Sequence, residues 1–280
     1  MKRFHLYLLS DSTGDTLNSI AKACAAQFKN IEPIEHFWSM IRSESEIEIA
    51  LSGAEQNDGL VLFTIVNEKL RNKVKSYCRK KNIHAIPVLE PILNGFSSYL
   101  QMPCLSQPGR QHRLDHAYFE RIEAMDFVLQ NDDGQNLMHL NDADVLLVGV
   151  SRTSKTPTCV YLGNRGIKAA NIPFIPGITD LEVLEQVKGP IIVALTESPK
   201  RLLAIRQNRM TELKDRSHHD YIDLEAIEDE VKIAKRFYQK MKWPVIDVTK
   251  RSVEETAAEI INLLTRKKDN IRVEKLQRKE

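Results

Sequence analysis

Eight consecutive residues carry the most specific chemistry in the chain: Gly149-Val150-Ser151-Arg152-Thr153-Ser154-Lys155-Thr156. They follow a hydrophobic run and match the phosphate-binding pattern GxxxxGK[ST] at its first glycine, lysine and threonine, with Ser154 replacing the second glycine. Such a loop wraps backbone N–H groups around phosphate oxygens, and the helix after it aims its free N–H groups and positive dipole end at the same anion. Lys155 would bring a mobile charge to the terminal phosphate, and Thr156 a hydroxyl able to ligate Mg2+. Pro157 is tolerated in a first helical turn, where its missing N–H has no partner. Ser154 is expected at negative φ, because a left-handed conformation penalises its β-carbon. Arg152 reads either as a second cation on the phosphates or as a solvated loop arginine. Ser151 and Thr153 could donate to phosphate, but their hydroxyls could equally serve their own backbone.

Other positions carry two readings each. Ser10-Asp11-Ser12-Thr13-Gly14 follows a strand and opens a helix, where ligands sit in open α/β sheets and where a plain N-cap also fits. Asp132-Asp133-Gly134 suits a turn, or Mg2+ and acid–base work. Asp247 could hold Mg2+ through water or cap the next turn. Arg201, Arg206 and Arg209 lie on one expected helix, either as a solvated face or as a patch for a phosphorylated partner. His112 and His116 stand at helical spacing without an HExxH pattern, so a surface pair is favoured over a metal site. His218-His219 reads as an exposed loop and Trp243-Pro244 as a packing corner.

Short apolar runs alternating with amphipathic segments must position these residues. Strands are expected at residues 4–9, 59–66, 83–89, 143–148, 169–175, 190–195 and 244–248. Helices are expected from Leu17 to Phe28 and at 68–81, 115–129, 155–164, 199–214, 223–240 and 253–266. Residues 101–114, with two prolines and a glycine, read as a long loop, and 216–221 as irregular. No internal repeat is visible. The expected fold class is α/β, with mainly parallel sheets flanked by helices. Its expected parts are an N-terminal α/β domain (1–105), a linker and helix (106–140), a P-loop-like nucleotide-binding domain (141–266) and a basic tail (267–280).

Composition narrows the function. The 280 residues carry a net charge of +2, all of it attributable to the tail from Arg266 onward, with seven basic and three acidic side chains. A nucleic-acid binder shows its basic excess on the folded body, so that class is disfavoured. No apolar run is long enough to span a bilayer, and the first residues lack a signal-peptide cleavage site. The four dispersed cysteines read as reduced core thiols, which points to a cytoplasmic protein.

The stretch GVSRTSKTPTCVYLGNRGIKAANIPFIPG resembles the phosphate loop of the bacterial pyruvate, phosphate dikinase regulatory protein family, which also includes the phosphoenolpyruvate synthase regulatory proteins. LLSDSTGDT, YFERIEAMDF with DDG, and WPVIDVTKRSVEETA match the family in order, so the resemblance covers nearly the whole chain. The form with Ser154 before the lysine is similar to the dikinase branch; the synthase branch usually has glycine there. The family usually has His before DDG, where this chain has Asn131, which cannot titrate.

The resemblance implies a bifunctional enzyme. It would move the β-phosphoryl group of ADP onto a threonine of the dikinase, releasing AMP, and would use inorganic phosphate to remove it, releasing pyrophosphate. With ADP as donor it further implies Lys155 and the loop amides on the β-phosphate with Thr156 holding Mg2+, and it allows Asp11 to be the base for the target threonine. The alternatives are the same chemistry on phosphoenolpyruvate synthase, a P-loop kinase of small molecules, or a nucleotide sensor without turnover. A homo-oligomer is left open.

Overall fold

The computed structural model describes residues 1–110, 116–179, 181–213 and 220–277. The chain forms two compact units, Met1–Arg113 and Leu114–Glu280.

In the first unit four strands, β1 (Lys2–Ser10), β2 (Ile31–Trp38), β3 (Leu60–Thr64) and β4 (Ala85–Pro87), form a parallel sheet in the order β2-β1-β3-β4. The apolar run of β1 is buried on both faces, as a central parallel strand requires. Tyr7 and Leu9 pack with Ile47 and Leu51 of α2 (Glu44–Gln56) and Val74 of α3 (Glu68–Lys81). Leu6 and Leu8 pack with Leu17 and Ala21 of α1 (Asp15–Ala25) on the other side. Each fully buried leucine contributes about 2 kcal/mol. A fourth helix, α4 (Glu90–Leu100), follows β4.

The second unit has the same plan. Strands β5 (Val145–Gly149), β6 (Ala169–Pro173), β7 (Ile191–Thr196) and β8 (Val245–Asp247) pair in parallel in the order β6-β5-β7-β8. Leu146 and Val148 pack toward Leu202 of α8 (Pro199–Leu213) and Ile227 and Val231 of α9 (Leu224–Lys240). Val145 and Leu147 pack toward Cys159 and Leu162 of α6 (Lys155–Gly163) and Ile260 of α10 (Val253–Gln277). The helix α5 (His116–Gln130), expected to belong to a linker, packs against α6. The short α7 spans Leu181–Gln186.

Several expectations change. Strand β2 and helix α2 were not anticipated: β2 is an edge strand whose exposure alternates only over its last four residues, and an edge strand is where a proline such as Pro33 is tolerated. Helix α2 begins with a capping box, Ser43 with Glu46. Helix α4 occupies a stretch read only as the end of a strand; Pro91 sits in its first turn, and none of its residues is buried. Helix α1 stops at Ala25, so Phe28 lies outside it and is exposed. Cys78 and Cys159 are buried, but Cys24 and Cys104 are exposed, so only two thiols belong to a core. No helix among the described residues is long and apolar enough to cross a membrane.

Candidate active site

The Gly149–Thr156 loop leaves the carboxyl end of β5 and enters α6 at Lys155. Gly149 is required by close approach: a β-carbon there would lie 2.8 Å from the Leu195 carbonyl oxygen of the neighbouring strand. Two residues in the loop take left-handed backbone, Arg152 at φ 74° and Ser154 at φ 58°. Ser154 therefore departs from the negative φ expected of it. It occupies the αL position at the helix N-cap that glycine usually takes, at a cost of roughly 1 kcal/mol. Alternating left-handed residues turn successive amides inward, the geometry of an anion nest.

Thr153 is fully buried and donates its hydroxyl to the Val150 carbonyl at 3.0 Å. Lys155 is 6% exposed, and its Nζ donates to the same carbonyl at 3.0 Å. Burial pushes the ammonium pKa down to about 8, while the nearby Asp133 carboxylate works against that shift. An incoming phosphate would supply the counter-charge this cation is short of.

A second group joins the loop from the side. The Thr156 hydroxyl donates to Asp132 Oδ1 at 3.1 Å. Asn171, buried in the middle of β6, donates Nδ2 to Asp132 and to Thr156 Oγ1, and its Oδ1 accepts from the Asp133 amide at 3.1 Å. One amide thus pins the Asp132–Gly134 turn to the first turn of α6. The turn is a 3-10 turn with Asp133 at φ 50°. Asp132 is half-buried, whereas Asp133 is exposed and lines the cleft. Among the described residues no cluster of three His, Cys, Asp or Glu could hold a metal alone. A hydroxyl with one or two carboxylates still suits Mg2+, which normally completes its shell with phosphate and water.

The far wall is built by Arg206 and Tyr221. Arg206 is 2% exposed, correcting the expected solvated arginine face; Arg201 and Arg209 on the same helix are exposed. Its guanidinium pairs with Glu230 at 2.8 Å, donates to the Ser151 carbonyl at 3.2 Å and lies 4.6 Å from the Tyr221 ring centroid. Tyr221 Oη meets Ser151 Oγ at 3.1 Å and accepts from Arg152 Nε at 3.2 Å. Arg206 Nε is buried without a hydrogen-bond partner. The cleft between these walls holds about 1180 Å3, and Ile175, Ile178 and Ile233 give it an apolar side suited to a flat base.

The remaining expected positions are not among the residues that line the cleft. Asp11 belongs to the first unit, where Oδ2 accepts the Val66 and Asn67 amides, both at 2.9 Å. Burial raises its pKa against those two bonds. Asp247, at the end of β8, does not line the cleft; it accepts from the Thr249 hydroxyl and, at 2.9 Å, from the Thr249 amide. Burial pushes that carboxyl up, but Thr249 with Lys235 and Arg251 outweighs it and holds the pKa below the usual range. Asn131 donates to the Phe127 carbonyl at 2.8 Å and leaves its buried Oδ1 unpartnered. His116 is exposed and sits 3.3 Å from Glu120; His112 and His218-His219 lie outside the described residues. Trp243 packs edge-on against Phe237, as a corner should.

Sequence reasoning missed Asn171, Arg206 as a buried group, and Tyr221. An asparagine inside the strand AANIP was the available signal, since a buried amide must find partners.

Residues 6–261 match the model of a family described as kinase/pyrophosphorylase. A protein of Bartonella henselae is 48% identical over 265 residues, covering 95% of this chain and 96% of its own length. One of Caulobacter vibrioides is 47% identical over 262 residues (94% and 83%), and one of Paramagnetospirillum magneticum 46% over 266 (95% and 86%). All three carry, as a provisional name, pyruvate, phosphate dikinase regulatory protein.

Proposed function

Because the chain belongs to the kinase/pyrophosphorylase family, we propose that it is an ADP-dependent threonine kinase and Pi-dependent phosphorylase acting on pyruvate, phosphate dikinase. The names that its relatives carry support this choice of partner. The observation that carries the chemistry is the buried Lys155 beside the Thr156–Asp132 pair at the carboxyl end of β5.

In the forward direction the loop amides and Lys155 hold the β-phosphate, and Arg152 offers a second cation. The base lies against the isoleucines. Asp133, exposed in the cleft, is better placed to take the threonine proton than Asp11, whose carboxylate already serves two amides. The threonine oxygen attacks the β-phosphorus, the bond to the bridging oxygen breaks, AMP leaves, and the proton goes to Asp133. In reverse, a phosphate oxygen attacks the phosphothreonine phosphorus, the threonine oxygen leaves with a proton from Asp133, and pyrophosphate forms. Bound Mg2+, for which Thr156 and Asp132 are the better donors than Asp247, would neutralise charge on the transferring oxygens.

The test is direct. Purified protein, the dikinase and β-labelled ADP should give labelled threonine, and added phosphate should convert the label to pyrophosphate. Nucleotide binding with no transfer to an intact dikinase would instead support a sensor.

A further inference from the structure

Arg152 and Arg206 both line the cleft, but they use their nitrogens in opposite ways. Arg206 is buried and commits its terminal nitrogens to the Glu230 carboxylate, the Ser151 carbonyl and the Tyr221 carbonyl. Those bonds tie three segments together and make it a pillar of the wall. Arg152 is the reverse. It is exposed, and the nitrogen that is held is the inner one: Nε donates to Tyr221 Oη at 3.2 Å. Among the described residues its two terminal nitrogens make no hydrogen bond. They form the fork that can meet two phosphate oxygens at once.

Tyr221 stands between the two arginines. It lies in the turn Asp220–Ile222. Two residues on, Asp223 caps α9 by accepting the Ala226 amide at 2.8 Å, which fixes where the chain enters the helix and so where the turn lies. The Arg206 guanidinium lies 4.6 Å from the ring centroid, within cation–π range, so a buried cation braces the ring. The hydroxyl touches two successive residues of the loop, Ser151 at 3.1 Å and Arg152. A phenol oxygen can accept from Arg152 and donate its own hydrogen to Ser151, so neither bond excludes the other. Arg152 also has left-handed backbone, φ 74°, which persists only where the surroundings hold it.

We propose that Tyr221 is a positioning residue: its hydroxyl anchors Arg152 by Nε, so that the guanidinium fork is held ready for a phosphate on the Gly149–Thr156 loop. The inference rests on that loop being a phosphate loop, as in the function proposed above. A long exposed arginine gives up rotamer freedom when it grips a ligand. One anchored beforehand has already given up part of it, so the bond strengthens binding through Arg152 rather than by contact of Tyr221 with the ligand.

The experiment is calorimetric titration of the full chain with ADP, in wild type, Tyr221→Phe, Arg152→Ala and the double variant. Transfer from ADP to the dikinase is followed in parallel. Phenylalanine keeps the ring on Arg206 and removes only the hydroxyl. Tyr221→Phe should weaken ADP binding about fivefold to tenfold, and Arg152→Ala about tenfold or more. In the double variant the hydroxyl has nothing to hold, so affinity should match Arg152→Ala within about twofold. A merely structural tyrosine would weaken binding again in the double variant, and that additive result would overturn the inference. So would ADP bound by Tyr221→Phe as tightly as by wild type, or no ADP binding by wild type. Arg152→Lys keeps the charge but lacks the guanidinium Nε–H, so it should lose about as much as Tyr221→Phe; being an exposed position, it also serves if the phenylalanine variant fails to fold. Wild-type affinity in Arg152→Lys would overturn the anchor. A wild type that binds ADP in the expected pattern but transfers nothing would overturn the kinase and leave the role of Tyr221 standing.

Discussion

Lys155 is where pH should act on this protein. Burial lowers its pKa from 10.5 to about 8, so between those values the unfolded chain holds a proton that the folded chain has lost. Stability then rises with pH across that window, the reverse of a lysine held by a carboxylate. Activity runs the other way, because the ammonium that grips phosphate disappears as pH rises through about 8. We expect kcat/KM for ADP to fall toward tenfold per pH unit above 8 while the urea midpoint increases. A profile flat to pH 9.5 would remove Lys155 from that role. Lys155→Met should abolish transfer in both directions without loss of stability at pH 7, since it deletes a desolvated charge. Beside it, Ser154→Gly should stabilise the fold by about 0.5–1 kcal/mol, read as a shift in urea midpoint, because glycine carries no left-handed penalty. A midpoint that falls would mean the serine hydroxyl contributes more than its backbone costs.

At the scale of elements, β6 serves the site through a single side chain. Asn171→Ala would cut the Asp132–Gly134 turn from α6 and leave the Asp133 amide without its acceptor. The expected cost is about 1–3 kcal/mol in stability, with roughly a hundredfold fall in kcat, about 2.7 kcal/mol of transition-state stabilisation. Unchanged kcat with lowered stability would make Asn171 purely structural. Much of the frame around it was legible. The runs of β1, β3, β5 and β7 are apolar because central parallel strands are buried on both faces, and the phosphate-loop pattern sits at the end of one of them. What stayed hidden is whatever tertiary packing decides. The edge strand β2 alternates weakly, and α4 buries nothing that would show as a period. Arg206 looks solvated until Glu230, Ser151 and Tyr221, brought from other elements, surround it. The repeated strand order escaped notice because it is set by which strands pair in three dimensions, which no residue pattern along the chain displays.

For the molecule as a whole, the buried clusters divide cleanly: each draws all its residues from one unit or from the other. A chain built this way need not unfold as one transition. Leu8 and Leu147 are both fully buried, in the first and second unit respectively. Truncating either to alanine should cost about 2–5 kcal/mol, the usual price of a leucine-sized cavity. Because the two sites share no packing neighbours in these clusters, the costs should add within about 0.5 kcal/mol in the double variant. Tyrosine and tryptophan fluorescence during urea titration provides the measurement. Leu147→Ala should move the transition that reports Trp243, which packs in the second unit, and Leu8→Ala the one that reports Trp38, which packs in the first. Function divides with stability: near the shifted midpoint, Leu147→Ala should lose ADP binding at the Gly149–Thr156 loop while the Trp38 signal is still native. If either single variant moved both signals together by the same amount, the two cores would be one cooperative system, and the repeated sheet would be a feature of topology with no counterpart in energy.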